Sequence, residues 1–152
     1  MTNPRIDNGY SEHQARKPVG QTSSVGFQVG VRRTLPLSQE QAWRLLTSPE
    51  GLSWWLGGLS ALQLEPGQRF FSKEGTSGEL RIVKPLEQLR LSWQRAGWEQ
   101  ASTLQIRLLA AAGGRTTISF HQEKLKDANV REQMKLYWEE VLARLTEKAK
   151  AK

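Results

Sequence analysis

The chain contains no cysteine. That alone excludes disulfides, thiolate metal sites and a cysteine nucleophile. Histidine is nearly as scarce, with 2 in 152 residues. His13 sits in a polar N-terminal stretch, and His121 falls on the phase opposite to Ile118 and Phe120, so the pair forms no metal cluster. Neither is placed to activate a serine, and the Gly-x-Ser-x-Gly pattern is absent. No run approaches the roughly 18 apolar residues of a membrane-spanning helix. The opening MTNPRIDNGYSEHQ has no apolar core of the signal-peptide kind, so the expected location is the cytoplasm. The glycine-bearing stretches SGE and AAGGR read as hairpin turns and not as phosphate loops. Glu139 and Glu140 have Lys135 and Arg144 four residues away on either side, the spacing of surface ion pairs rather than acid–base partners. No catalytic constellation emerges, and the reading leans to a non-enzymatic protein with no metal and no cofactor; a cyclase-like or hydrolase-like enzyme is a third reading with no residues to name for it.

What is present is ordinary for a globular chain of one domain: 38% hydrophobic and 24% charged residues. The net charge is +7, carried by basic residues scattered along the chain, among them Arg32, Arg33, Arg69, Arg81, Arg90, Arg107 and Arg115. No block interleaves them with aromatics as an RNA-binding sheet does, so specific nucleic-acid binding is not expected. The charge supports solubility and weak nonspecific contact. Lys148, Lys150 and Lys152 suit the negative end of a helix dipole.

Residues 1–24 are polar, without apolar period, and read as an extended or flexible arm ahead of a domain spanning 25–150. A plain tail and an arm packed along a sheet edge or joining a dimer both fit this composition. FQVGVRRTL alternates as a strand. Ser38 with Gln41 forms a capping box ahead of a helical stripe of Ala42, Leu45 and Leu46. Ser48 followed by Pro49 starts a second short helix, which Gly57–Gly58 stops. Strands follow, broken at Pro66–Gly67, between Gly75 and Gly78, and at Pro85, with Leu80 and Ile82 on one face and Leu89, Leu91 and Trp93 on another. A hairpin turns at Gly113–Gly114 between Leu104, Ile106, Leu108 and Thr116, Ile118, Phe120. From Asp127 to about Ala149, Val130, Met134, Tyr137 or Trp138, Val141 and Leu145 recur at helical spacing. The expected order is one strand, two short helices, six antiparallel strands and one long helix that covers the buried sheet face.

The segment GLSWWLGG raises a packing question. Neighbours on a helix point about 100° apart, so Trp54 and Trp55 cannot share one narrow buried stripe. Either one ring packs in the core and the other borders a cavity between sheet and long helix, or both pack at two different interfaces.

Four stretches carry a resemblance. RTLPLSQEQAWRLLTSPEGLSWWLG, LEPGQRF, SGELRIVKPLEQLRLSW and YWEEVLARLTEKAK resemble, in that order, the strand–helix–helix opening, Pro-Gly strand start, Gly-strand-Pro-strand-Trp segment and closing helix of a known family. It is the START-like or SRPBCC superfamily, in its Hsp90-ATPase-activator-homologue-like branch. Gln68 stands where that pattern has a second glycine, Leu86 where it has a second proline, and Tyr137 where it has a glycine. The resemblance implies an α+β helix-grip (START/Bet v 1-like) fold, a curved antiparallel sheet wrapped around a long C-terminal helix, with a cavity between them. The residues it places around a ligand are Trp54, Trp55, Phe70, Leu80, Ile82, Leu91, Trp93, Leu104, Ile106, Met134, Tyr137, Trp138 and Val141, with Ser72, Ser102 and Thr116 as orienting hydroxyls. Trp98, in the polar stretch RAGWEQ, is expected at an exposed hairpin tip. The expected partner is an apolar or aromatic small molecule, with a weak contact to an Hsp90-like chaperone as the alternative and a second copy of the chain as a further partner. The Asn-x-Trp-His-Trp segment of the separate N-terminal domain in eukaryotic activators is absent, so chaperone contact would run through this domain's surface.

Overall fold

The computed structural model describes residues 21–22 and 26–151, so most of the expected arm, residues 1–24, lies outside the described residues. Strands β1 (Gln21–Thr22) and β2 (Gly26–Leu35) lead into helices α1 (Gln39–Leu46) and α2 (Pro49–Trp55). Strands β3 (Arg69–Phe71), β4 (Ser77–Lys84), β5 (Gln88–Gln94), β6 (Ser102–Ala111) and β7 (Arg115–Leu125) follow, and helix α3 (Ala128–Lys150) closes the fold. The strands form one antiparallel sheet in the order β1-β2-β7-β6-β5-β4-β3. This is the helix-grip architecture that the element order predicts.

The helix boundaries follow from their caps. Ser38 Oγ accepts from Gln41 N at 3.1 Å, and Gln41 Oε1 accepts from Ser38 N at 2.9 Å, closing the capping box at α1. Ser48 Oγ accepts from Gly51 N at 3.1 Å, and Pro49 occupies the first turn of α2. A Cβ at Gly51 would run into the Leu45 and Leu46 carbonyl oxygens, so only glycine lets α2 fold back this tightly on α1. Gly57 and Gly58, at φ 72° and 98°, take the left-handed conformation that ends α2. Asp127 caps α3 through Val130 N at 2.8 Å, and Arg131 Nε donates to the Gln28 carbonyl at 2.8 Å, pinning the start of α3 to β2.

Alternation places Val29 and Leu35, Ile118 and Phe120, Leu104, Ile106 and Leu108, Leu89, Leu91 and Trp93, and Leu80 on the inner face. Met134, Trp138, Val141, Leu142 and Leu145 of α3 bury against it.

Two expectations are corrected. Five strands follow the helices rather than six. Leu62 and Leu64 pack against the core without joining a strand, because Pro66–Gly67 breaks the chain before pairing begins at Arg69. The alternation predicts Ile82 beside Leu80 on the inner face. A bulge between Leu80 and Ile82 instead sets Ile82 opposite Arg90 and Val83 opposite Leu89, so Ile82 faces outward and Val83 takes the inner position. One extra residue in a strand moves every later side chain to the other face.

The burial of α3 sets a stability expectation. Val141→Ala or Leu145→Ala should cost about 1–4 kcal/mol in urea unfolding, as truncation of buried aliphatics does. Arg144→Ala, which removes only an exposed pair with Glu140, should cost far less. Equal small losses in all three would mean that the sheet does not grip α3.

Candidate functional site

The doublet at the end of α2 separates into two environments. Trp55 is fully buried, and its Nε1 donates to the Leu46 carbonyl at 3.0 Å. Trp54 is half-buried and borders a shallow surface groove of about 370 Å³ with Glu140, Ala143, Arg144, Glu147 and Lys148 on the outer side of α3. Lys148 Nζ reaches Glu50 at 3.0 Å and closes that groove between the two helices. The ring that does not enter the core therefore lies on the surface, against α3.

The core itself is threaded by polar atoms. Trp138 Nε1 donates to Gln122 Oε1 at 2.7 Å, and Gln122 Nε2 donates to Ser102 Oγ at 2.8 Å. Ser102 Oγ donates to the Trp93 carbonyl at 2.6 Å, and Trp93 Nε1 donates to the Trp55 carbonyl at 3.0 Å. With the Trp55–Leu46 bond, this path runs from α3 through β7, β6 and β5 to α2 and α1. The rings pack as tightly as the hydrogen bonds. Phe120 stacks on Trp138 at 4.9 Å, and Trp93 meets Trp138 at 5.2 Å and Tyr137 at 5.8 Å. Gln122 is a residue the sequence reading passed over, although it continues the inward phase of Ile118 and Phe120. A polar residue on a buried phase is the signal that would have found it.

The space expected to hold a ligand between sheet and α3 is filled by these side chains. Trp55, Leu80, Leu91, Trp93, Leu104, Ile106, Met134 and Trp138 are 0% exposed, and Phe70 and Val141 are also buried. An enclosed cavity large enough for a water-sized probe would leave accessible area on its walls, and the eight residues at 0% have none. Ile82 is on the outer face, and Trp54 is in the surface groove. Tyr137 is half-buried, and its hydroxyl donates to the Trp54 carbonyl at 2.8 Å. Burial, with the negative field of Glu74, pushes its pKa up to about 12, while Arg95 and Arg144 oppose the rise. The Arg95 guanidinium lies over its ring at 5.0 Å. Tyr137 thus fills the place that a glycine would leave open. Of the orienting hydroxyls, Ser72 accepts from Thr76 N in a turn and Ser102 belongs to the core path. The Thr116 hydroxyl is buried and has no hydrogen-bond partner among the described residues.

Trp98 is also corrected. It is half-buried, edge-on to Trp93 at 5.6 Å, because the loop between β5 and β6 folds back through Trp98 N to Arg95 O and Gln94 Nε2 to Trp98 O. Beside it, Gln100, Lys124, Leu125 and Val130 line a cleft of about 460 Å³ where this loop meets the start of α3. His121 faces outward, with Nε2 3.1 Å from Gln28 Oε1. Among the described residues no cluster of His, Asp and Glu could hold a metal ion, and no helix is long and apolar enough to cross a membrane.

Residues 36–150 match the family described as Activator of Hsp90 ATPase homolog 1-like protein. The chain belongs to this family. The match begins at Pro36, ahead of α1, and runs to the last residue of α3, so it spans the helix pair, the capping motifs and the whole core path of this family member. No curated protein sequence matches the chain. Among solved structures, CalU16 from Micromonospora echinospora is similar at 20% identity and TM-score 0.68, over 80% of this chain and 74% of that one. The Hsp90 activator PFC0360w from Plasmodium falciparum has 17% identity and TM-score 0.64, over 74% and 88%. The Aha1 dimer from Colwellia psychrerythraea has 18% identity and TM-score 0.62, over 80% and 95%. At these identities the likeness is one of fold.

The core path makes Gln122 a test of the interior. Gln122→Met keeps the volume but strips Trp138 Nε1 of its acceptor, and it should lower unfolding free energy by about 1–3 kcal/mol. Adding Trp138→Phe, which removes the stranded donor, should cost less than the two single losses summed. Strict additivity in urea titrations would show that the two side chains are not coupled.

Proposed function

We propose that this domain works through its surface, as a protein-interaction module of the chaperone-regulating kind, in the cytoplasm. The observation that carries the reading is the filled core. The expected ligand lining is buried among the described residues, which gives an internal carrier little support, whereas surface recognition needs no compartment. Membership of the Hsp90-activator-homologue family supports the choice of partner, as do neighbours of the same fold that are themselves an Hsp90 activator and an Aha1 dimer. The groove beside Trp54 offers a half-exposed indole flanked by Arg144 and Lys148, the residue types that dominate binding energy at interfaces being tryptophan and arginine. Titration into an Hsp90-family chaperone should give saturable binding of roughly micromolar strength. Trp54→Ala should weaken it about tenfold or more at unchanged melting temperature. Absence of binding, or an unaffected Trp54→Ala variant, would remove the groove from the reading.

A second reading has its own observation, the cleft beside Trp98. Its volume of about 460 Å³ lies within the range of small-molecule sites, and Trp98, Leu125 and Val130 supply an apolar wall. An apolar or aromatic ligand would then sit at the rim of the sheet–helix sandwich and not inside it. An anilinonaphthalene sulfonate dye should change tryptophan fluorescence saturably, and Trp98→Phe should remove most of the change while Trp43→Phe leaves it. A response indifferent to Trp98 would end this reading.

A further inference from the structure

Basic residues that lie far apart in the sequence meet on the outer face of the sheet. Arg32 of β2 stands opposite Ser119 of β7, and Ser119 opposite Arg107 of β6. Arg107 stands opposite Gln88 of β5, and Gln88 opposite Lys84 of β4. The row crosses five strands with a cation on every second one, and at a strand spacing near 5 Å the cations lie about 10 Å apart. Ser119 and Arg107 alternate with the buried Ile118, Phe120, Ile106 and Leu108, so this face points away from α3.

Arg32, Lys84 and Arg107 are exposed, and none of their side chains has an ion pair or hydrogen bond among the described residues. In the adjoining row, Arg90 stands opposite Gln105 and Ile82. Arg81, displaced by the bulge, shares with Arg90, Ser92, Thr103 and Lys124 a hollow of about 300 Å³. Among the paired strand positions carboxylates enter one row further on, where Glu123 opposes Thr103 and Glu79 opposes Ser92, and Glu79 is held by Arg69 at 3.6 Å; Glu87 sits at the end of the row, in the turn between Lys84 and Gln88. Cations about 10 Å apart lie just beyond the roughly 8 Å Debye length of physiological salt, so each acts mainly on a charge docked beside it, and their potentials merge into one positive field as salt falls. Unpaired like charges on a sheet give the fold nothing, and the field is directed at solvent.

We infer that this face docks an acidic segment of a partner protein, with one carboxylate in the Arg81–Arg90 hollow and others along the Arg32–Arg107–Lys84 row. The inference rests on the interaction-module reading and names its partner chemistry. A segment in the polyproline II conformation, with three residues per turn and about 3.1 Å rise, presents every third side chain on one face about 9–10 Å apart, which matches the row. The hydroxyl and amide groups of Ser119 and Gln88 between the cations can hydrogen-bond the segment's backbone. Neither row carries a tryptophan, tyrosine or phenylalanine on which bases could stack, which favours a protein over a single-stranded nucleic acid.

The test uses the full chain and a fluorescein-labelled peptide with glutamate at every third position, read by anisotropy. Binding should weaken as salt rises from about 50 to about 200 mM. Arg32→Gln/Lys84→Gln/Arg107→Gln should weaken it about tenfold or more. Arg44→Gln/Lys135→Gln/Lys150→Gln, with the same change in net charge, should stay within about twofold of the unmodified chain. Equal losses in both triple variants would reduce the effect to net charge and overturn the inference. So would tighter binding of a single-stranded oligonucleotide than of the peptide. If the first triple variant keeps full affinity for the chaperone while Trp54→Ala loses it, the face is wrong and the interaction-module reading stands. If neither chaperone nor peptide binds, both fall.

Discussion

A buried indole N–H must find an acceptor where water cannot supply one, and this fold meets that demand three times in a single connected path. Trp138, Trp93 and Trp55 are each fully buried and each donates to a neighbour on another element: Gln122, the Trp55 carbonyl and the Leu46 carbonyl. Leaving one such donor unpaired would cost about 1–3 kcal/mol, a sizeable part of the few kcal/mol by which a domain is stable. The path therefore fixes how α3 is rotated and how far α2 slides, because each indole reaches its acceptor from one orientation only. With Trp138 turned inward to Gln122, Tyr137 is left at the margin, where its hydroxyl holds the Trp54 carbonyl.

The same aromatic path decides what the interior can do. Large rings at the contact between a curved sheet and a helix fill the volume that smaller residues would leave open. Tyr137 over Trp93 and Trp138 adds a further layer on the side facing Arg95. The core supports from beneath the Trp54 groove backed by α3, the Trp98 cleft resting edge-on against Trp93, and the outer sheet face whose register the buried residues hold.

Much of the fold was legible along the chain. The capping box at Ser38–Gln41, the Ser48–Pro49 start, the Gly57–Gly58 stop and the hairpin at Ala112–Gly114 all rest on contacts between residues a few positions apart. The inner phases of β5, β6 and β7 and the stripe on α3 follow from simple alternation and helical period, and four ordered stretches sufficed for the family. The candidate site was far less legible. Whether Trp54 or Trp55 turns inward, and that Trp98 leans on Trp93, depends on partners that periodicity does not name.

The sequence by itself determined the element types, their caps and stops, and the choice of a sheet gripping a helix, because local hydrogen bonds and side-chain alternation act between near neighbours. Tertiary structure alone decided that the aromatic rings of the core pack on one another, that a bulge turns Ile82 outward, and that scattered basic residues become a row. Those outcomes hang on contacts such as Trp93 to Trp55 across 38 residues and Tyr137 to Trp54 across 83. They hang equally on strand register, where a shift of one residue exchanges the faces of everything that follows.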